Sequence, residues 1–255
     1  MPRVGATARS VYIGAARIAR RVAARSGFLR ALDARYDKNR TGPVRHLRTL
    51  FAIHDVDDLV RLDVPWWTYP AISAVDAHLA RLGGRARAFE YGSGASTVWL
   101  ARRCASVHSV EHDAAFAAVV AGLLDTTAGL GEVTYEQVAA VRSATPTVAS
   151  GRRGEEGLDY ADYRAAITRA GGTYDLICID GRARMACLEA ALPHLAPGGL
   201  ILVDDAQRPR YREGMARSGL AVHRCWGWVP TLPYPRQTAL LSVPQPVTPT
   251  TPGAA

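Results

Sequence analysis

Three aspartates stand where two hydrophobic runs end. "YDLICID" closes on Asp180, and "GGLILVDD" closes on Asp204 and Asp205. Both runs read as buried strands, short and continuous in apolar residues. Carboxylates gathered at neighbouring strand ends repel one another unless a cation or a basic group lies among them. Oxygen-rich ligation suits Mg²⁺, so a divalent ion on Asp180, Asp204 and Asp205 is one expectation. Arg182 and Arg184 follow the first aspartate closely. The other expectation is that these arginines neutralise the acids. Their guanidinium forks also suit a carboxylate or phosphate on a substrate.

A second constellation lies in "RAFEYGSGASTVWLA", residues 87–101. A hydrophobic run leaves through Glu90-Tyr91-Gly92-Ser93-Gly94 into a helical pattern. Such a turn presents free backbone N–H groups to a ligand at the helix start. A dinucleotide fingerprint would place a third glycine where Thr97 stands. Instead Glu90 precedes the first glycine by two residues, and Glu111 closes the next strand-like run, "SVHSVEHD". Carboxylates so placed suit the two hydroxyls of a ribose. Glu111 also favours the dipole of the helix that follows.

The elements that must carry these residues alternate. "AFEYG", "SVHSVEHD", "EVTYEQV", "YDLICID" and "GGLILVDD" read as strands, with a helical pattern between each and the next. This alternation predicts a parallel sheet covered by helices on both faces. "LAVHRCWGW" and "RQTALLSV" follow with a connection too short for a parallel crossover, which predicts an antiparallel pair. Before the first strand, Thr68 is placed to cap a helix with Pro70 in its first turn and Gly83-Gly84 at its end. Trp66, Trp67 and Tyr69 lie just before that helix. They either wall a substrate pocket or pack the N-terminal segment onto the body. The polar stretch "ATPTVASGRRGEEGLD" has the length of a lid.

The net charge of +8 is unevenly placed. Residues 1–48 hold twelve Lys/Arg and two Asp/Glu, leaving nineteen and twenty-one for the remainder. All the basic residues but Lys38 are arginine, and no nucleic-acid-reading motif is interleaved with them. Apolar residues at Val11, Ala15, Ile18, Val22, Leu29 and Leu32 follow a helical period. The expectation is a helix packed on the body with a solvated arginine face; peripheral contact with an acidic membrane is the alternative. Four dispersed cysteines indicate neither a disulfide framework nor a zinc site and fit a cytoplasmic setting. The expected organisation is a basic helical extension over 1–65, one α/β domain over 66–243, and a disordered Pro/Thr-rich tail over 244–255.

"FEYGSGAST", "VHSVEHD", "YDLICIDGRAR" and "LAPGGLILVDD", in this order, resemble a class I S-adenosylmethionine-dependent methyltransferase. The resemblance implies a Rossmann-like, doubly wound, mostly parallel seven-stranded sheet with a C-terminal antiparallel pair. It implies S-adenosylmethionine as cofactor, held by Glu90, Gly92, Ser93, Gly94, Ser96, Glu111 and His112, with Asp180 near its amino group. Methyl transfer asks the protein to align the reactants, exclude water and in some cases remove a proton. Asp180, Asp204 and Asp205 are the candidates for that chemistry, and Trp66, Trp67, Arg182 and Arg184 for contact with a substrate.

The chain is also similar to macrocin-type O-methyltransferases, whose metal-binding acids follow these same two strands. It departs from them at Arg182, where those enzymes often carry another acid. A small-molecule O-methyltransferase is therefore the leading expectation. A nucleic-acid or protein methyltransferase, an NAD-type Rossmann protein and a non-catalytic cofactor-binding module are the alternatives.

Overall fold

A computed structural model describes residues 25–53 and 55–244, together with Gly14, Ile18, Arg20, Val22 and Ala23. The Pro/Thr-rich tail beyond Pro244 and the stripe positions Val11 and Ala15 lie outside the described residues.

Seven strands form one sheet. They are β1 (Arg87–Tyr91), β2 (Ser106–Glu111), β3 (Glu132–Gln137), β6 (Tyr174–Ile179), β7 (Leu195–Val203), β8 (Ala221–Trp228) and β9 (Pro235–Ser242). Their order is β3-β2-β1-β6-β7-β9-β8. The pairs from β3 through β7 are parallel, and β9 runs antiparallel to both β7 and β8. Two short strands, β4 (Val141–Arg142) and β5 (Leu158–Asp159), form a separate hairpin at the base of the polar loop. Sequence order reverses between β1 and β6, which creates a crevice at the carboxyl ends of those strands.

Alternation along the strands divides the core. Ala88, Leu176, Cys178 and Leu202 face α4 (Tyr69–Arg81) and α5 (Ala95–Ala101). Phe89, Tyr91, Ile177, Ile179, Ile201 and Val203 face α7 (Ala161–Ala170), α8 (Arg184–Ala191) and α9 (Pro209–Arg217). This period of two, with both faces covered, is what near-continuous apolar strands require. The remaining body helix, α6 (Ala114–Thr126), begins at Asp113, whose carboxylate accepts from Phe116 N at 2.9 Å.

The N-terminal segment contributes α1 (Phe28–Lys38), α2 (Gly42–Leu50) and α3 (Val56–Leu62). The run "RTLFAIHDVDDLVRL" is thus two helices separated by a turn, with Asp55 capping the second through Asp58 N. Tyr36, Leu59 and Leu62 pack with Ala95 and Val98 of α5 and Leu123 of α6. Arg48 is 1% exposed and bridges Asp33 at 2.5 Å and Asp58 at 2.7 Å. Ile18 and Val22, expected on the apolar stripe, are exposed, whereas Ala23 and Leu32 are buried. Among the described residues no helix is long and apolar enough to cross a membrane.

Thr68 occupies the N-cap position of α4, but its hydroxyl does not cap the helix. The Oγ1 donates instead to the carbonyl of Cys225, tying α4 to β8.

Candidate functional site

The parallel register brings four strand ends to one edge. Tyr91 is level with Val110 and Ile179, and Ile179 is level with Val203. Gly92, Glu111, Asp180 and Asp204 therefore emerge side by side.

Gly92 has φ +91°, and a Cβ there would lie 2.5 Å from Gly181 N. Both Asp180 N and Gly181 N donate to the Tyr91 carbonyl, so the two loops are stitched backbone to backbone. Only glycine satisfies both the conformation and the spacing. Gly94 is different: a Cβ there would meet only Ser96 Oγ, at 3.9 Å. Protein packing does not demand that glycine, which leaves its side of the loop open to a ligand.

Glu90 is fully buried beneath this loop. Its Oε2 accepts from Thr97 Oγ1 and Ser109 Oγ, each at 2.6 Å, and Thr97 Oγ1 in turn accepts from Gly94 N. Thr97, in the place of a third glycine, thus fixes the loop through a side chain. Among the described residues Glu90 Oε1 has no hydrogen-bond partner. Burial pushes this carboxyl up to about 7, against the pull of its hydroxyl donors. Glu111 is 3% exposed. Its Oε1 accepts from His112 N and Asp113 N, and its Oε2 from Ser93 N at 3.0 Å and Ser93 Oγ at 3.3 Å. His112 Nδ1 lies 2.6 Å from Glu111 Oε1.

The carboxylates at the next two strand ends do not converge on a shared centre. Arg184 inserts between Asp180 and Asp204. It donates to Asp180 Oδ1 at 2.8 Å, to the carbonyls of Asp180 and Gly181, and to the Asp204 carbonyl. Asp205 adopts a left-handed conformation, φ +52°, which Asp tolerates better than most residues. Its carboxylate meets Arg208, and Arg236 at 2.5 Å. Among the described residues no group of three His, Cys, Asp or Glu side chains is arranged to hold a metal ion. The Mg²⁺ expectation for Asp180, Asp204 and Asp205 finds no support among the described residues, where guanidinium groups stand beside these acids as the alternative expectation had it.

Burial, with Asp205 nearby, raises Asp204 to about 6, opposed by Arg184 and by the Thr238 hydroxyl donating at 2.8 Å. Asp180 is also pushed up, by burial first and then by Asp204. Asp205 is held below the ordinary carboxylate range: burial works upward, but Arg184, Arg236 and Arg208 outweigh it.

A cavity of about 720 Å³ opens over Asp180, Asp204 and Asp205. Trp66, Tyr211 and Tyr234 line it, as do Ser150 and Arg152 from the polar loop. Trp67 does not. It is fully buried, with its ring 5.8 Å from that of Trp99, so it packs α4 against α5. Arg182 lines the cavity but donates to Glu155 at 2.6 Å, and Arg184 is 93% buried in its clip. Sequence reasoning missed Glu155, Arg208, Arg210 and Arg236. Arg208 and Arg210 follow Asp205 at nearly the spacing at which Arg182 and Arg184 follow Asp180, and that proximity could have singled them out.

Comparison with known proteins agrees with this geometry. Residues 89–206 match the model of a family described as a methyltransferase domain. No curated protein sequence matches the chain. An O-methyltransferase from Bacillus cereus in complex with SAH is similar at 18% identity, over 84% of this chain and 97% of that one, with a TM-score of 0.51. A methyltransferase-like protein from Silicibacter pomeroyi is 25% identical over 69% of this chain and 88% of that one, with a TM-score of 0.44. An rRNA methylase from Streptococcus thermophilus is 12% identical over 68% and 96%, with a TM-score of 0.48. The match marks residues 89–206 as a methyltransferase domain, and the strand order is that of a Rossmann-like fold. That domain makes the protein a methyltransferase, and among the described residues helices α1 to α3 precede its sheet.

Proposed function

We propose that the protein methylates a hydroxyl group of a small molecule without a metal ion. The observation that carries this reading is the position of Asp204. A buried carboxylate with a pKa of about 6 stands in a 720 Å³ cavity, beside the loop that Gly92 stitches to Gly181. Cavities of this size suit small ligands.

The residues present fit the cofactor. Gly94 leaves open space at the start of α5, Glu90 has an unpartnered buried oxygen, and Glu111 ends β2 with a buried carboxylate. Glu111 Oε2 would accept from the ribose in place of Ser93 Oγ. His112 and Ser96 would flank the bound molecule, and Asp180 would face its amino group. When bound, S-adenosylmethionine supplies a methyl group already activated on a sulfonium.

The protein's task is then placement and proton removal. Thr238 holds Asp204 Oδ1, which leaves Oδ2 to take the proton of the substrate hydroxyl. With a pKa of about 6 Asp204 is ionised at neutral pH yet more basic than an ordinary aspartate. Arg184 supports it through the Asp204 carbonyl and by charge. Trp66 and the loop carrying Ser150 and Arg152 enclose the cavity and exclude water.

Asp204→Asn tests the assignment. It should retain S-adenosylmethionine affinity, measured by calorimetry, while turnover of a hydroxyl acceptor falls by about 10²–10⁴-fold. Unchanged turnover in the folded variant would remove Asp204 as the base.

A further inference from the structure

The cavity is lined by six arginines, at 152, 182, 184, 208, 210 and 236, and by three aspartates. Glu155 adds a fourth acid just behind the lining. Positive charge exceeds negative, although most of the arginines already have partners. Glu155 is shared by Arg182 at 2.6 Å and Arg152 at 3.7 Å. Asp205 is shared by Arg208 and Arg236. Arg184 is committed to Asp180. Among the described residues Arg210 pairs with no carboxylate. Its Nη2 donates to Tyr211 Oη at 3.1 Å, and its guanidinium lies 4.9 Å from that ring's centroid.

Resting on the methyltransferase reading above, we infer that the substrate carries an oxyanion, a phosphate or a carboxylate, bound by Arg210 with Arg208 and Arg236. Arg208 and Arg236 share a single acid, Asp205, and among the described residues Arg210 pairs with none. An incoming anion would complete that charge balance and take charge-assisted hydrogen bonds from the donors that Asp205 leaves uncommitted. The polar loop frames this corner: a Cβ at Gly151 would come within 3.2 Å of Arg210 Cδ. Arg210 lines the same cavity as Asp204 and bonds to Tyr211, not to Asp204 or Asp205, so its guanidinium is available to an anion. The substrate therefore presents its hydroxyl to Asp204 and its charged end to Arg210. Arg182 and Arg184, the arginines expected from sequence to meet a substrate anion, are instead committed to Glu155 and Asp180.

The experiment is calorimetric titration of the full-length protein with pyrophosphate and, separately, with succinate, at low ionic strength. The inference expects saturable binding of at least one anion, weakened tenfold or more in Arg210→Gln and in Arg236→Gln. Arg217→Gln serves as control, since Arg217 pairs with Glu213 on the exposed end of α9, outside the cavity. Arg210 is exposed, so its variant keeps the fold even where Arg236→Gln does not. Pyrophosphate binding without succinate assigns a phosphorylated substrate, and tighter succinate binding a carboxylated one. Absence of saturable binding, or equal binding in Arg210→Gln and Arg217→Gln, overturns the inference. S-adenosylmethionine is titrated into the same samples. Cofactor binding without anion binding defeats only the oxyanion assignment, whereas failure to bind cofactor defeats the methyltransferase reading itself.

Discussion

Arg184 Nη2 donates to Asp180 Oδ1 at 2.8 Å, and the same guanidinium reaches the Asp204 carbonyl through Nη1. One arginine thus compensates two acids at adjacent strand ends, in the place where a divalent ion was expected. Prolonged dialysis against chelator should leave turnover unchanged. Restoration of lost activity by Mg²⁺ would contradict the arginine clip. Arg184→Met, by stranding buried carboxylates, should lower stability by about 3–5 kcal/mol in urea unfolding.

The proposed role of Asp204 as base predicts the pH dependence. A base must be deprotonated to act, so kcat/KM should rise through about pH 6 and level off above it. Asp204→Asn should abolish that limb. A profile that is flat from pH 5 to 7 in the native protein would reject Asp204 as the titrating group.

Glu90 gives a stability signature. Its carboxyl is raised in the fold to about 7 from an ordinary 4.5, so the folded state holds a proton that the unfolded chain releases earlier. The stability this contributes is fully present below about pH 4.5 and is lost as pH rises through about 7. The difference amounts to about 3 kcal/mol. Glu90→Gln should flatten this part of the curve of unfolding free energy against pH, with the same slope in both proteins as the contrary result.

Glu111 separates ligand binding from architecture. Glu111→Gln should weaken S-adenosylmethionine by about 1.5–3 kcal/mol, the range for hydrogen bonds to a charged group. Because Glu111 also accepts from Ser93 N, His112 N and Asp113 N, thermal unfolding must be measured alongside. Unaltered affinity in a folded variant would withdraw the ribose role.

The N-terminal helices are structural partners of the domain. Tyr36 is buried with Leu59, Leu62 and Val98, and Arg48 needs Asp33. Removing residues 1–40 should therefore destabilise the remainder, as read by a lower unfolding midpoint in urea. An unchanged midpoint would show that α1 adds nothing to the core.

The sheet was legible because its signals are local. Each strand is a short apolar run, and the glycine turn announces the first strand-to-helix junction. Glu90, Glu111 and Asp180 could be singled out the same way, since each stands at or next to the end of a readable strand. What was hidden depends on distant partners or on single dihedral angles. Glu155 reaches Arg182 across 27 residues, and Arg236 reaches Asp205 across 31. The left-handed turn at Asp205 sends its carboxylate toward Arg208 and Arg236, and nothing in "VDD" foretells it. Trp66 and Trp67 are adjacent and alike in type, yet one lines the cavity and the other fills the core. Both lie in the bend that precedes α4, so the path of the chain there, and not a helical period, separates them.

Strand β9 enters the sheet between β7 and β8, although it follows both in sequence. Until residues 235–242 arrive, β7 has one bare flank and β8 has no neighbour in the sheet. A nascent or truncated chain lacking this segment would present two unprotected edges, with Leu200, Ile201 and Leu202 along one of them. Such edges invite pairing with other chains. Clipping upstream of Pro235 should therefore convert a foldable protein into one that self-associates.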